Sequence, residues 1–155
     1  MIALGETGGA VMSQGKVPTE RWAAARVAAN AAAHGFSGSS EYDDAVRDRA
    51  VYSVEAGLSF FHTHAEGLGL ILFFMSTIVA SAVPWRRARA ALYVLLGLGS
   101  LFPLGYLVYG VAVLELGRDA GIELAEIWIL TPLGSAMIAG LIGLAVTLAV
   151  RSRRA

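Results

Sequence analysis

The sequence predicts an all-α integral membrane protein with three transmembrane helices and an extracytoplasmic N-terminal helical segment. Its 155 residues are 56% hydrophobic and 15% charged, and the mean hydropathy is +0.62. Soluble domains are about 45–50% apolar and about 25% charged. The apolar excess lies almost entirely after Leu58, in three runs of the roughly 20 residues that a helix needs to cross a bilayer.

Residues 1–40 form the predicted N-terminal segment, which is as polar as an ordinary soluble chain. Its start, "MIALGETGGAVMSQG", has neither a basic region nor an apolar region of signal-peptide length, so it is not a signal peptide. Whether a further span precedes Met1 is left open. The stretch "PTERWAAARVAANAAAHG" predicts a helix that starts at Pro18 and Thr19 and stops at Gly35. The following "GFSGSS" predicts a loop.

Residues 41–155 form the predicted bundle of three spans. The spans cover about 58–83, 90–114 and 127–150. Each must be helical, because in hydrocarbon only a helix satisfies its own backbone hydrogen bonds. No helix breaker separates Glu41 from Gly57, so we expect the first membrane helix to project well beyond the lipid. Pro103 predicts a kink in the second span.

The charged connections predict the orientation. "WRRAR" joins spans one and two, "RSRRA" follows span three, and the mainly acidic "ELGRDAGIELAE" is the predicted loop between spans two and three. The positive-inside bias places both arginine clusters in the cytoplasm. We therefore expect an integral protein of a bacterial inner membrane, with an external N-terminus and a cytoplasmic C-terminus.

Net charge and cysteine content exclude several classes of function. The formal net charge is zero with histidine neutral, which gives no basic surface for a nucleic-acid partner. The chain has no cysteine, which excludes disulfides, thiolate zinc sites, iron–sulfur clusters and thioether-linked haem. Any metal must be held by nitrogen, oxygen or methionine sulfur.

The stretch "EAGLSFFHTHAEGLGLILFF" places ionisable side chains at the outer end of span one. Because each helical residue advances about 100°, Glu55, His62 and Glu66 share one stripe, and His64 lies on the opposite face. Imidazole and carboxylate ligands suit a divalent metal ion, so these three residues are the predicted metal site. The alternative is hydration at the headgroup level with pairing to nearby arginines.

His64 shares its face with glycines and apolar residues, which favours axial ligation of a haem b. The second ligand would be Met75, a reoriented His62 or His34, or a residue of another subunit. The alternative is a hydrogen bond across helices, to one of Tyr106, Tyr109, Thr131 or Ser135.

The motif from His62 to Gly69 resembles a known family. It reads H-x-H-x-x-x-L-G and is similar to haem-binding helices in the subunit-I family of haem–copper oxidases, particularly its cbb3-type and nitric-oxide-reductase branches. The resemblance covers about 10 of the 155 residues. It implies that His64 takes the haem-ligating position. The chain lacks the family's many spans and other histidines, so the resemblance implies neither a copper site nor oxygen reduction.

Span three carries small residues at every fourth position, which favours close helix packing in lipid. This stripe contains Ser135, Ala139, Gly143 and Thr147. We expect membrane lipids and other membrane protein subunits as partners, and no catalysis by the isolated chain. Two functions remain open: a redox-complex subunit that offers histidine to haem or metal, and a structural or assembly subunit that packs against lipid, pigment or protein.

Overall fold

A computed structural model describes residues 1–153, and within that range the chain is helical apart from short connections. The α-helices are α1 (Ile2–Gln14), α2 (Lys16–Ala29), α3 (Ser40–Ala82), α4 (Arg86–Gly99), α5 (Leu104–Leu116), α6 (Arg118–Ala125) and α7 (Thr131–Ser152), with a π-helical turn at Glu126–Leu130. The described part contains no strand. Three helical stretches are long and apolar enough to span a membrane: Ser40–Ala82, Arg86–Leu116 and Arg118–Ser152. The predicted all-α class and three spans are confirmed.

The first membrane helix is much longer than a bilayer requires. α3 has 43 residues, which at 1.5 Å each make about 65 Å, roughly twice the hydrocarbon thickness. The expected start of this helix near Glu41 is confirmed, and its length is consistent with the predicted projection beyond the lipid. The loop before α3 is fixed by the Asp43 carboxylate, which accepts hydrogen bonds from the backbone N–H groups of Ser37 (2.8 Å) and Gly38 (3.0 Å).

Helix α1 (Ile2–Gln14) was not predicted from the sequence. α1 runs antiparallel to α3, because Ile2 lies against Gly69 whereas Gly8 lies against Phe61. A Cβ atom at Gly8 would lie 2.8 Å from the Phe61 ring, so glycine allows this close approach. The start of α1 thus reaches the level of the apolar part of α3.

α2 continues outward from α1 along α3. It ends at Ala29, one and a half turns before the predicted stop at Gly35, and the chain continues in tight turns. The predicted loop is confirmed, with positive φ at Gly35 (67°) and Gly38 (85°). Ala23 and Val27 are fully buried, in contact with α3 and α5.

At the predicted kink, residues 100–103 interrupt the α-helical hydrogen bonding between α4 and α5 with a short series of turns. Proline has no N–H to continue the helical ladder. The chain instead makes tight turns in which the Phe102 N–H bonds to the Gly99 carbonyl and the Tyr106 N–H bonds to the Pro103 carbonyl, each at 3.1 Å.

The acidic segment after span two forms helix α6, so the prediction of a loop there is wrong. Gly117 alone joins α5 to α6, with a φ of 82° that L side chains rarely adopt, and a Cβ there would collide with the Ala33 carbonyl oxygen. α6 then folds back so closely that a Cβ at Gly121 would lie 2.5 Å from the Val113 nitrogen. The π-helical turn connects α6 to α7 just before Pro132, where the i−4 hydrogen bond is lost.

Two apolar clusters hold the bundle together. The outer cluster joins α2, α3 and α5 through Ala23, Val27, Ala50, Val54, Val113 and Leu114. The inner cluster joins α3, α4 and α7 through Val79, Val83, Leu92, Leu96, Met137 and Leu144. Because Val113 and Leu114 are fully buried in protein, the last turn of predicted span two packs against helices rather than lipid.

The described arginines of both clusters lie at the same end of the bundle, and Arg154 lies outside the described residues. The Arg151 guanidinium donates a hydrogen bond to the Ala82 carbonyl (2.5 Å) at the inner end of α3. Arg86 lies four residues after the end of α3, whereas Glu115 lies near the C-terminal end of α5. The charge asymmetry expected from the sequence is thus a property of the folded bundle.

Candidate functional site

The two histidines of the motif lie on opposite sides of α3, as the helical geometry predicts. His62 contacts α1, where its ring lies against Gly5 and Gly9. His64 contacts α5, where its ring lies 4.9 Å from the ring of Tyr106. The candidate site therefore has two halves separated by the helix.

His62 is oriented by two acceptors. Its Nδ1 lies 2.9 Å from the Gly5 carbonyl oxygen and 3.2 Å from the Glu66 carboxylate. This pattern fits an Nδ1–H that donates to α1 and to Glu66, leaving Nε2 as an acceptor. His62 and Glu66 are thus brought together, with Glu66 placed to orient the ring.

Glu55, the third residue of the predicted metal site, lies apart from the other two. Its carboxylate is 3.5 Å from the Lys16 ammonium group of α2. Within residues 1–153 no three histidine, aspartate or glutamate side chains converge as a metal site. Among the described residues, the alternative pairing with Arg47 or Arg49 is also not formed, and Arg47 instead contacts Asp44 (3.0 Å) and Asp48 (3.7 Å).

His64 is fixed by its own helix and by aromatic rings. Its Nδ1 lies 2.8 Å from the Phe60 carbonyl oxygen, one turn earlier. Its ring packs between Tyr106 and Phe102, with ring centroids 4.9 and 5.7 Å away. The described residues provide no hydrogen bond to Nε2, so the cross-helix hydrogen bond considered above is replaced by ring packing.

The neighbourhood of His64 leaves room on one side. Gly67, almost one turn further along α3, has no atom within 4 Å of the position that a Cβ would take. The His64 ring itself is only partly buried. An approaching flat group would therefore meet an exposed imidazole beside a glycine.

The chain itself does not place a second axial ligand near His64. Met75 is eleven residues along the same helix, a rise of about 16 Å, too far to bind the same iron atom, and it packs against the inner cluster. His34 is 8% exposed, and its Nε2 lies 3.0 Å from the Leu114 carbonyl oxygen. His62 faces α1. None of the three residues named as second-ligand candidates within residues 1–153 therefore lies opposite His64.

A polar cluster between α2 and α5 was missed from the sequence. The Arg26 guanidinium donates hydrogen bonds to both oxygens of the Glu115 carboxylate, with Nε 2.7 Å from Oε1. Asn30 donates to the same carboxylate (3.1 Å) and to the Leu114 carbonyl (3.2 Å), which His34 also contacts. The hydrogen bond and charge of Glu115 raise the pKa of Arg26. The four-residue spacing of Arg26, Asn30 and His34 was the available signal.

This cluster caps the C-terminal end of α5. The last carbonyl groups of an α-helix have no partner within the helix, and α5 ends abruptly at Gly117. Asn30 and His34 satisfy the Leu114 carbonyl group there. Their role is structural.

The small-residue stripe of span three lies mainly outside the contacts within the chain. Ser135 and Ala139 are exposed, and Gly143 and Thr147 are partly buried. The face that packs against α4 is the adjacent one, with buried Met137, Gly140 and Leu144. The stripe thus remains a predicted interface for other subunits.

Comparison of the chain with models of protein families, with curated proteins and with solved structures gives no match. The functional argument therefore depends on the geometry of the site.

Proposed function

We propose that this protein is a small integral-membrane subunit of an electron-transfer complex, in which His64 is an axial ligand of a haem b near the outer membrane face. The observation that carries the proposal is the 2.8 Å contact between His64 Nδ1 and the Phe60 carbonyl oxygen. A carbonyl accepts only, so Nδ1 carries the proton and Nε2 carries the lone pair. Histidines that bind metals are held in this way.

The surroundings of His64 fit a haem on one side. The open space at Gly67 admits a flat macrocycle, and the ring contacts with Phe102 and Tyr106 fix the plane of the imidazole. A bound haem b would supply one-electron transfer. The chain's own contribution is to orient Nε2 and to surround it with aromatic side chains.

The proposal requires a partner subunit or a second copy. Three spans enclose little volume, and the second axial ligand must come from elsewhere. The exposed Ser135 and Ala139 on α7 suit close packing with another membrane helix. A divalent ion at His62 and Glu66 would require partner ligands in the same way.

We further propose that the arginine-rich end is cytoplasmic in a bacterial inner membrane. The support is the positive-inside bias together with the contact between Arg151 and the end of α3. The N-terminus and the His64 site are then on the periplasmic side.

The test is a visible spectrum of the full-length protein purified from haem-replete cells. We expect a Soret band that shifts on dithionite reduction, and its loss in His64→Ala. His62→Gln is the matched control, since His62 faces α1, and it should keep the band. A band that survives His64→Ala would refute the ligand assignment, and the absence of any band or metal, including in the complex that copurifies, would refute the redox function.

A structural subunit is the second candidate, because one observation favours it. The His62 contact with Gly5 is explained by attachment of α1 to α3, without any cofactor. In that case the protein without a Soret band would still be required for assembly of its partner complex.

A further inference from the structure

A cavity of about 370 Å³ lies at the junction of α1 and α2, on the side that faces α3. The break is at Gly15, between Gln14 and Lys16. The cavity faces α3 where predicted span one begins, near Leu58. Its position is therefore the boundary between the outer headgroups and the hydrocarbon. Ligand pockets commonly have volumes of about 300–1,000 Å³.

The polar side of the cavity carries one cation and two anions. The Lys16 ammonium lies 3.6 Å from the Glu20 carboxylate and 3.5 Å from the Glu55 carboxylate. Both distances exceed the 2.7–3.2 Å of a good N–H···O hydrogen bond. One ammonium group cannot neutralise two carboxylates, so this side has a formal charge of −1 and accepts a further cation.

The other side of the cavity is apolar and leads toward the lipid. Val11, Met12 and Leu58 contribute to the lining. Thr19 and Ser59 also line it, and within residues 1–153 neither side-chain hydroxyl has a hydrogen-bond partner. The cavity thus offers apolar surface, unused hydroxyl donors and a mixed-charge side.

We propose that this cavity binds a phospholipid of the outer leaflet whose headgroup is phosphoethanolamine. The phosphate accepts from Lys16 and the two hydroxyls, and the primary ammonium group donates to Glu20 and Glu55. An acyl chain follows the apolar lining into the bilayer. This site is independent of the haem proposal, because it lies on the α1 side of α3.

The headgroup chemistry selects ethanolamine over the two common alternatives. A choline headgroup has no N–H to donate to the carboxylates. A glycerol headgroup brings the phosphate charge without a cation, so both carboxylates repel it. Phosphoethanolamine carries both charges: its phosphate complements Lys16, and its ammonium group complements Glu20 and Glu55.

The test is native mass spectrometry of delipidated full-length protein with matched phosphatidyl-ethanolamine, -choline and -glycerol. We expect at least fivefold more bound ethanolamine lipid than either competitor. The double variant Glu20→Gln and Glu55→Gln should remove that preference, whereas Glu123→Gln, an exposed carboxylate outside the cavity, should keep it.

A second variant fills the cavity at an exposed position. Ser59→Trp should lower ethanolamine-lipid binding at least fivefold while leaving the elution volume of the protein unchanged. Equal binding of the three lipids, or an unchanged preference in the double variant or in Ser59→Trp, would overturn the proposal. Retention of soluble phosphoethanolamine as tight as that of the lipid would overturn the role given to the acyl chain.

Discussion

The helical hairpin of α5 and α6 predicts a large difference between two glycine-to-alanine substitutions. At Gly121 an added Cβ would lie 2.5 Å from the Val113 nitrogen and 2.6 Å from the Ala112 carbonyl carbon and the Val113 Cα. All three are backbone atoms that no rotamer change can move. At Gly97, in α4, an added Cβ would have no atom within 4 Å.

The magnitude follows from two opposing terms. Alanine favours a helix over glycine by about 1 kcal/mol, and this term is common to both sites. Overpacking costs about 1–3 kcal/mol, and we take the upper end at Gly121 because Gly117 alone connects the two helices and they cannot slide apart. Gly121→Ala should therefore be destabilised by about 2 kcal/mol, and Gly97→Ala stabilised by about 1 kcal/mol.

The assay is thermal unfolding in one detergent, followed by tryptophan fluorescence. For a chain of this size 1 kcal/mol corresponds to about 2–4 °C, so the two melting temperatures should differ by about 6–12 °C, with Gly121→Ala the lower. Equal melting temperatures for the two variants would show that α6 does not approach α5 as closely as described.

Three further outcomes test the remaining parts of the fold. Gly8→Leu should detach α1, because even a Cβ would lie 2.8 Å from an aromatic ring of α3; proteolysis near the N-terminus should accelerate at least fivefold. Glu115→Gln should loosen α2, since it removes the charge in a two-point contact, and trypsin should cut α2 faster than in the Glu123→Gln control. Because the chain lacks cysteine, Ser37→Cys should react with an impermeant maleimide in intact cells, whereas Ser152→Cys should react only after permeabilisation; the reverse would invert the proposed topology.

The three spans could be predicted from the sequence because hydrocarbon imposes one dominant constraint. A backbone in lipid must form helices, and about 20 apolar residues are a local signal. The long extension of α3 could also be predicted from a local pattern, because no helix breaker lies between Glu41 and Gly57. The Pro103 break followed from the missing N–H.

The helix at the N-terminus could not be predicted in this way. Gly5, Gly8 and Gly9 lower helix propensity, so local reasoning gives no helix there. Gly5 lies against Ala65 and Glu66 of α3, whereas Gly8 and Gly9 lie against Phe61 and His62. This contact stabilises α1. The spacing of these glycines indicates a packed helix only when the surface of α3 that they contact is known.

The directions of the histidine side chains in the candidate site could be predicted from the sequence, but the residues that they contact could not. The opposite directions of His62 and His64 follow from about 100° per residue. That Glu55 pairs with Lys16 and His34 with Leu114 depends on how α2 lies against α3 and α5, which no local pattern encodes. Side chains of the right chemistry were identified, but their partners were not.

The two halves of the bundle are held together by different physical means. In lipid, helix association gains nothing from burying apolar surface, so close packing must bring the helices together. Gly99 accordingly allows α4 to approach α7 until its hypothetical Cβ would lie 2.7 Å from the Met137 Cα. Outside the lipid, water drives apolar burial, and Val27 and Leu114 are fully enclosed. Water also hydrates charged and amide groups, so side chains such as Arg26 and Asn30 can join helices at this end, as Arg151 does at the opposite end of the bundle.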